Sequence, residues 1–141
     1  MSAKTQPYAM VTARVLMALI FILSGLFKIG AADATRGYME AMHVPGALLW
    51  PTILFEIGVG LLIVVGYGTR IAAALLAGFC LLTAGIFHSQ FSDQIQMIMF
   101  LKNVAMAGGF GLLASVGPGQ FSLDARMSVG SERSRHGIVE P

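Results

Sequence analysis

The sequence predicts an all-α integral membrane protein, a four-helix bundle with its N- and C-termini in the cytoplasm. Hydrophobic residues make up 56% of the 141 residues, and charged residues only 11%. A soluble domain carries about 25% charged residues, so this chain has too little polar surface to be water-soluble. The net charge of +2 comes from scattered Lys and Arg. Because they form no basic stripe, we expect the lipid bilayer as partner and no nucleic acid.

Four apolar segments predict the four helices, at about 8–29, 45–66, 70–88 and 98–116. Each has about 20 residues, the length that a helix needs to cross about 30 Å of hydrocarbon. None alternates apolar and polar residues as a membrane β-strand does. The four segments define a transmembrane domain at 8–124, preceded by a cytoplasmic N-terminus at 1–7. The polar segment 125–141 is expected to be a disordered cytoplasmic tail.

The first apolar segment resembles a signal peptide in having basic residues ahead of it. However, the apolar stretch continues to Lys28, and no small-residue cleavage site follows Ser24. We therefore interpret it as a retained helix.

The two outer connections differ in character. The first, AADATRGYMEAMHVP, is long enough for a short helix that Asp33 would cap, with Tyr38 and Met39 on the membrane surface. The second, SQFSDQIQ, is predicted to be a short polar loop.

On the other side, GYGTR predicts a tight turn that makes the second and third helices antiparallel neighbours. Gly117 and Pro118 are expected to end the fourth helix. Ser122 and Asp124, which follow, are typical of a helix start or a turn.

Basic residues predict the orientation of the bundle. Six would lie on the side of the termini: Lys4, Arg14, Arg70, Arg126, Arg133 and Arg135. Three would lie on the opposite side: Lys28, Arg36 and Lys102. This excess favours both termini in the cytoplasm, with Arg14 and Arg70 as anchors at the inner leaflet.

Polar residues from all four helices are predicted to meet in the outer half of the bundle. They are Lys28, Glu56, His88, Lys102 and Asn103. Glu56 follows Pro45 by eleven residues, which places it about 16 Å along its helix. Because a buried carboxylate and a buried ammonium stabilise each other's charged forms, we expect Glu56 to pair with Lys28 or Lys102, with His88 nearby.

Two other interpretations of this cluster stay open. Either lysine could extend to the lipid headgroups, and the cluster could be a purely structural ion pair. No metal site is predicted, because neither His43 nor His88 has a second His at a helical spacing. Cys80 is the single cysteine, so it has no partner for an intramolecular disulfide.

Small residues at four-residue spacing predict close helix packing. Gly60 shares a stripe with Glu56, Gly78 lies on the third helix, and Gly111 follows Asn103 on the fourth.

Four sequence stretches carry a resemblance to a known family. They are RVLMALIFILSGLFKI, FEIGVGLLIVVGYGTRIAAALLAGFCLLTAGIFH, FLKNVAMAGGFGLL and GPGQFSLD. In this order and spacing, between Arg14 and Asp124, they resemble the DoxX family of small bacterial membrane proteins. The resemblance implies a multi-pass protein of the bacterial cytoplasmic (inner) membrane. Residues on the family's recurrent polar positions are Arg14, Lys28, Glu56, His88, Lys102 and Asn103.

The resemblance also implies a class of function. The family takes its name from a subunit associated with a quinol oxidase and a thiosulfate:quinone oxidoreductase. The first hypothesis is therefore a subunit or accessory of a quinone-linked membrane oxidoreductase, with quinone as the cofactor considered. No redox centre is recognisable in the chain, so electrons would come from a redox-enzyme partner.

Alternative hypotheses are a non-catalytic membrane anchor or assembly factor and a small-solute transporter. A homo-oligomer is a further partner considered. The sequence assigns no catalytic residue and leaves open whether the chain is an enzyme.

Overall fold

The computed structural model describes residues 5–136, with side chains up to residue 129. The predicted cytoplasmic ends at residues 1–4 and 137–141 lie outside the described residues. Within them the chain is helical, without strands. The elements are α1 (Gln6–Gly30), α2 (Ala32–Ala41), a 3₁₀ turn (Gly46–Leu48), α3 (Leu49–Val65), α4 (Thr69–Phe87), α5 (Gln94–Val116) and α6 (Leu123–His136).

Among residues 5–136, four helical segments are long and apolar enough to cross a membrane, which confirms the predicted fold class. They are Gln6–Gly30, Gly46–Val65, Thr69–Phe87 and Gln94–Val116. We call the end of the bundle that carries α2 the outer end, and the end with the α3–α4 turn and α6 the inner end. These names follow the predicted orientation, which stays a prediction.

The fourth spanning helix begins four residues earlier than predicted, so part of the predicted loop is helical. The side chain of Asp93 accepts hydrogen bonds from the backbone N–H groups of Ile95 and Gln96, at 2.8 and 3.4 Å. Such a cap satisfies donors that a helix start leaves unpaired. The polar residues 94–97 are therefore helical, although their composition is typical of a loop.

The short helix predicted in the first outer connection is α2, but its role differs from the prediction. It begins at Ala32, so Asp33 lies in its first turn and does not cap it. Met39 is only 6% exposed and packs with Leu49 and Ile53. Because that face is buried against α3, α2 covers the outer end of the bundle.

The polar C-terminal segment forms α6 (Leu123–His136) where disorder was predicted from residue 125. Ser122 and Asp124, predicted as a helix start or a turn, lie at its start. The Ser122 hydroxyl accepts a hydrogen bond from the Ala125 N–H at 3.1 Å, and the Asp124 N–H donates to the Gly66 carbonyl at 2.9 Å. These bonds attach the segment to the bundle, which composition alone could not indicate.

The four spanning helices pack as two pairs, α1 with α3 and α4 with α5. Glycines bring α1 and α3 together: an added Cβ at Gly25 would lie 2.6 Å from Ile57 Cγ1, and one at Gly60 would lie 2.9 Å from Ile22 Cγ1. Between the pairs lies a core of buried side chains, among them Ala18, Phe21, Ile63, Leu76 and Phe110. The rings of Phe21 and Phe110 meet edge to face at 5.4 Å.

The α3–α4 turn contains two glycines with left-handed backbone, Gly66 (φ 74°) and Gly68 (φ 55°). A Cβ added at Gly66 would overlap the guanidinium of Arg14 and lie 2.5 Å from Ser122 Cβ. A Cβ at Gly68 would have nothing within 4 Å. Both positions need the backbone freedom of glycine, and only Gly66 also needs the space.

Replacing these two glycines separates the two requirements. We expect Gly68→Ala to destabilise the protein by about 1 kcal/mol, the cost of a left-handed backbone. Gly66→Ala should cost about 2 kcal/mol more, because the new methyl group overpacks the Arg14 contact. Thermal unfolding of both variants in one detergent measures the difference. Equal losses would contradict the close approach at Gly66.

Candidate functional site

The centre of the site is an ion pair between Lys28 at the end of α1 and Glu56 in the middle of α3. Lys28 Nζ lies 2.7 Å from Glu56 Oε2 and 2.8 Å from Oε1. The same ammonium donates to the Ser24 hydroxyl at 2.5 Å, which uses all three of its donors. The lysine side chain is 23% exposed and the glutamate side chain 5%. Of the two partners that the sequence allowed for Glu56, the structure pairs it with Lys28.

Lys102 is not part of this cluster. Its side chain is exposed on α5 and does not line the cavity described below. Consecutive residues on an α-helix point about 100° apart, so with Asn103 beside Thr83 of α4 the adjacent Lys102 lies on a different face of α5. The expectation that Lys102 joins the polar cluster is therefore wrong.

A second polar group lies across the bundle on α4 and α5. His88 Nδ1 is 2.8 Å from Gln96 Oε1, a contact that fixes the ring and leaves Nε2 without a protein partner. Asn103 donates to the Met99 carbonyl at 3.0 Å, and its Oδ1 lies 3.5 Å from the Thr83 hydroxyl. Gln96 was missed because it falls in the predicted loop. The capping Asp93 was the signal that could have placed it on a helix.

These two groups line one cavity of about 390 Å³ at the outer end, between the α1–α3 pair and the α4–α5 pair. Most of the wall is apolar, with Phe21, Phe79 and Met106 among the lining residues. The polar lining residues include Ser24, Lys28, Thr52 and Glu56 on one side and Thr83, His88 and Asn103 on the other. A mostly apolar cavity with a few converging polar groups is typical of a small-molecule site.

The helix α2 contributes the outer wall of the cavity through Thr35, Tyr38 and Met39. The Tyr38 ring stacks on Phe87 at the end of α4, with ring centroids 5.6 Å apart. This contact joins α2 to the α4–α5 pair and covers the cavity from the outer side.

The charges of the site suit an uncharged ligand. Lys28 and Glu56 neutralise each other, so this wall offers hydrogen bonds without net charge. Among the described side chains, no group of three or more His, Cys, Asp or Glu could hold a metal ion. The arrangement can therefore bind a compact polar head by hydrogen bonds, and Glu56 and His88 can exchange protons with it.

The two arginines expected as inner-leaflet anchors contact protein groups. Arg14 is 1% exposed, and its Nη2 donates to the Phe121 carbonyl at 2.6 Å. The expectation that Arg14 anchors in the headgroups is therefore wrong, because the segment before α6 covers it. Arg70 is exposed, and its Nη1 donates to the carbonyls of Ala114 and Ser115, at 3.1 and 2.7 Å. It thus caps the end of α5, and its contact with lipid stays a prediction.

Asp124 joins α6 to the start of α4. Its carboxylate accepts hydrogen bonds from the backbone N–H groups of Gly68 at 2.8 Å and Thr69 at 2.9 Å. Burial alone would raise the pKa of Asp124, but these two hydrogen bonds and the charge of Arg14 outweigh burial and hold the pKa below its usual value. A carboxylate at a helix N-terminus also interacts favourably with the helix dipole.

Comparisons with known proteins confirm the family resemblance, and the range matched by the family model contains the first two of the four sequence stretches. A family model described as DoxX matches residues 9–89. The chain is 47% identical to the inner membrane protein YqjF of Escherichia coli (strain K12) over 121 residues, which cover 86% of this chain and 93% of the relative. It is 39% identical to the inner membrane protein YphA of the same organism over 128 residues, 86% of this chain and 91% of the relative. No solved structure matches significantly. The predicted location in the bacterial inner membrane is confirmed.

A double-mutant cycle tests the ion pair. We expect Lys28→Met to destabilise the protein by about 3 kcal/mol, since it leaves the Glu56 carboxylate buried without a partner. Adding Glu56→Gln to that variant should restore most of the stability, because no unpaired charge remains. Thermal unfolding in detergent provides the measurement.

Lys102→Met is the matched control, because it removes an exposed lysine from a spanning helix and should change little. A double variant no more stable than Lys28→Met would contradict the pairing.

Asp124 should make stability depend on pH in the acid range. Because folding lowers its pKa, its contribution is fully present at neutral pH and is lost as the pH falls below about 4. We therefore expect the wild type to unfold at a higher temperature than Asp124→Asn at pH 7, and the difference to shrink on acidification. Asp33→Asn, at a fully exposed carboxylate, controls for the loss of one negative charge. A difference that stays constant down to pH 3 would contradict the role of the ionised carboxylate.

Proposed function

The chain belongs to the DoxX family of membrane proteins, and on this premise we propose that it binds an uncharged molecule of the quinone class in the outer cavity. In this proposal the protein is a subunit or accessory of a quinone-linked membrane oxidoreductase. A quinone head is a flat ring with hydrogen-bond acceptors at opposite ends. It needs an apolar cavity with polar groups on opposite walls.

The observation that carries the proposal is the pairing of two polar walls across one apolar cavity of about 390 Å³. On the α1–α3 wall, the Ser24 hydroxyl accepts a hydrogen bond from Lys28 and keeps its own hydrogen to donate to a ligand, close to the buried Glu56 carboxylate.

On the α4–α5 wall, the Asn103 amide donates one N–H to Met99 and keeps the second for a quinone carbonyl. His88 donates from Nδ1 to the Gln96 oxygen, so its Nε2 presents a lone pair that can accept from a quinol hydroxyl. The two carbonyl groups of a quinone head could each reach one wall.

The charge balance of the cavity wall supports a ligand with an uncharged head group. Because Glu56 is already neutralised by Lys28, a cationic ligand would gain no free carboxylate, and an anionic ligand would gain no free ammonium. Reduction of a quinone to a quinol adds two electrons and two protons. In this proposal a redox-enzyme partner supplies the electrons. The two protons come from water, and Glu56 and His88 each take up a proton and pass it on to a ring oxygen.

One observation favours the alternative of a non-catalytic anchor or assembly factor. Lys102 is exposed on a spanning helix, and charged residues within a membrane usually face protein or water. A partner helix with a carboxylate would satisfy it. The quinone function depends on Glu56 in the cavity, whereas the anchor function depends on Lys102 on the surface. Variants at these two positions therefore distinguish the two functions.

The quinone content of the protein tests the proposal. The wild type, Glu56→Gln and Lys102→Gln are purified from their own membranes in mild detergent, and quinones are extracted and quantified by chromatography. We expect near-stoichiometric quinone in the wild type and in Lys102→Gln. Glu56→Gln should retain at least tenfold less, because Lys28 becomes an unpaired charge in the cavity wall.

Size-exclusion profiles and unfolding temperatures of the three proteins establish that the variants are folded. Quinone at the level of bulk lipid in all three would contradict the proposal. Loss of a co-purifying protein in Lys102→Gln alone would favour the anchor function.

A further inference from the structure

A groove on the lipid-facing surface of α1 adjoins the cavity. It has a volume of about 610 Å³, and its apolar floor runs from Leu16 through Leu19 and Leu23 to Phe27. Four residues line both the groove and the cavity: Ile20, Ser24, Lys28 and Thr35. The two spaces therefore adjoin along these side chains, and Lys28 is one of the residues where they meet.

Exposure of the ion pair identifies the direction of access. The Lys28 side chain is 23% exposed and the Glu56 side chain 5%, so the ammonium lies at the opening and the carboxylate lies inside. From the outer side, α2 covers the cavity through the buried Met39 and the Tyr38–Phe87 stack. A ligand that comes from the bilayer meets the groove first.

Resting on the proposed function, we infer that the ligand is an amphiphile held in two parts, with its head in the cavity and a single apolar chain in the groove along α1. The apolar chain of the ligand would leave the cavity past Lys28 and Thr35 and run towards Leu16. From Phe27 to Leu16 is eleven helical residues, so the groove takes about 16 Å of chain. A prenylated quinone fits this description, and a water-soluble ring without a chain does not.

Charge distinguishes this occupant from an ordinary phospholipid. A phosphate group would be held by a net positive charge, but the Lys28 ammonium has all three donors engaged by Ser24 and Glu56. An uncharged head with hydrogen-bond acceptors can replace one of these contacts without leaving a charge unpaired.

Filling the groove without touching the cavity tests the inference. Leu23 lines the groove but not the cavity and is 41% exposed, so Leu23→Trp adds bulk on the lipid side without disturbing the core. Leu54→Trp is the matched control, on a 75% exposed leucine of α3 that lines neither space. The full-length protein is placed in phosphatidylcholine nanodiscs, and binding of a prenylated benzoquinone and of the same ring without a chain is corrected for empty discs.

We expect Leu23→Trp to weaken binding of the prenylated quinone about tenfold and to leave binding of the bare ring unchanged. Leu54→Trp should change neither. If both compounds bind wild type and Leu23→Trp equally well, the groove inference is overturned while the proposed function stands. If neither compound binds the wild type above empty discs, the proposed function fails and the inference fails with it. Displacement of the prenylated quinone by phosphatidylglycerol in the discs would assign the groove to a phospholipid and overturn the inference.

Discussion

The ionised Glu56 in the middle of a spanning helix is the constraint on which the outer half of the structure depends. A carboxylate taken out of water is costly unless an opposite charge and hydrogen bonds satisfy it. Lys28 meets this requirement only because α1 and α3 approach closely at Gly25 and Gly60. Helix packing, the position of α1 and the polarity of the cavity wall thus follow from one pairing.

The inner end is held together by a different principle. There, charged side chains of one segment satisfy backbone groups of another: Arg14 binds the Phe121 carbonyl, Arg70 caps α5, and Asp124 caps α4. These contacts connect the ends of helices, so they fix the inner end of the bundle. The outer end instead carries α2 and the cavity, so the two ends of the bundle differ in how their helices are joined.

Much of the fold followed from the sequence, because the length and hydropathy of a spanning helix are strong local signals. The contact partners of individual side chains were predicted less well from the sequence. Gly78 and Gly111 were predicted to mark close packing, yet an added Cβ at either would have nothing within 4 Å, whereas Gly25 does mark it. Arg14 was assigned to lipid because its covering segment is distant in sequence. Lys102 was assigned to the cluster by its depth, which says nothing about the direction of its side chain around the helix axis.

The neutrality of the Lys28–Glu56 pair has an electrical consequence. A single charge carried across the membrane potential exchanges about 2.3 kcal/mol with each 100 mV. In the pair, the opposite charges lie less than 3 Å apart, so the work of the field on one nearly cancels the work on the other. Binding of an uncharged molecule in the cavity, as proposed above, would then not depend on the size of the membrane potential. The site would then present the same charge in an actively respiring cell and in a resting one.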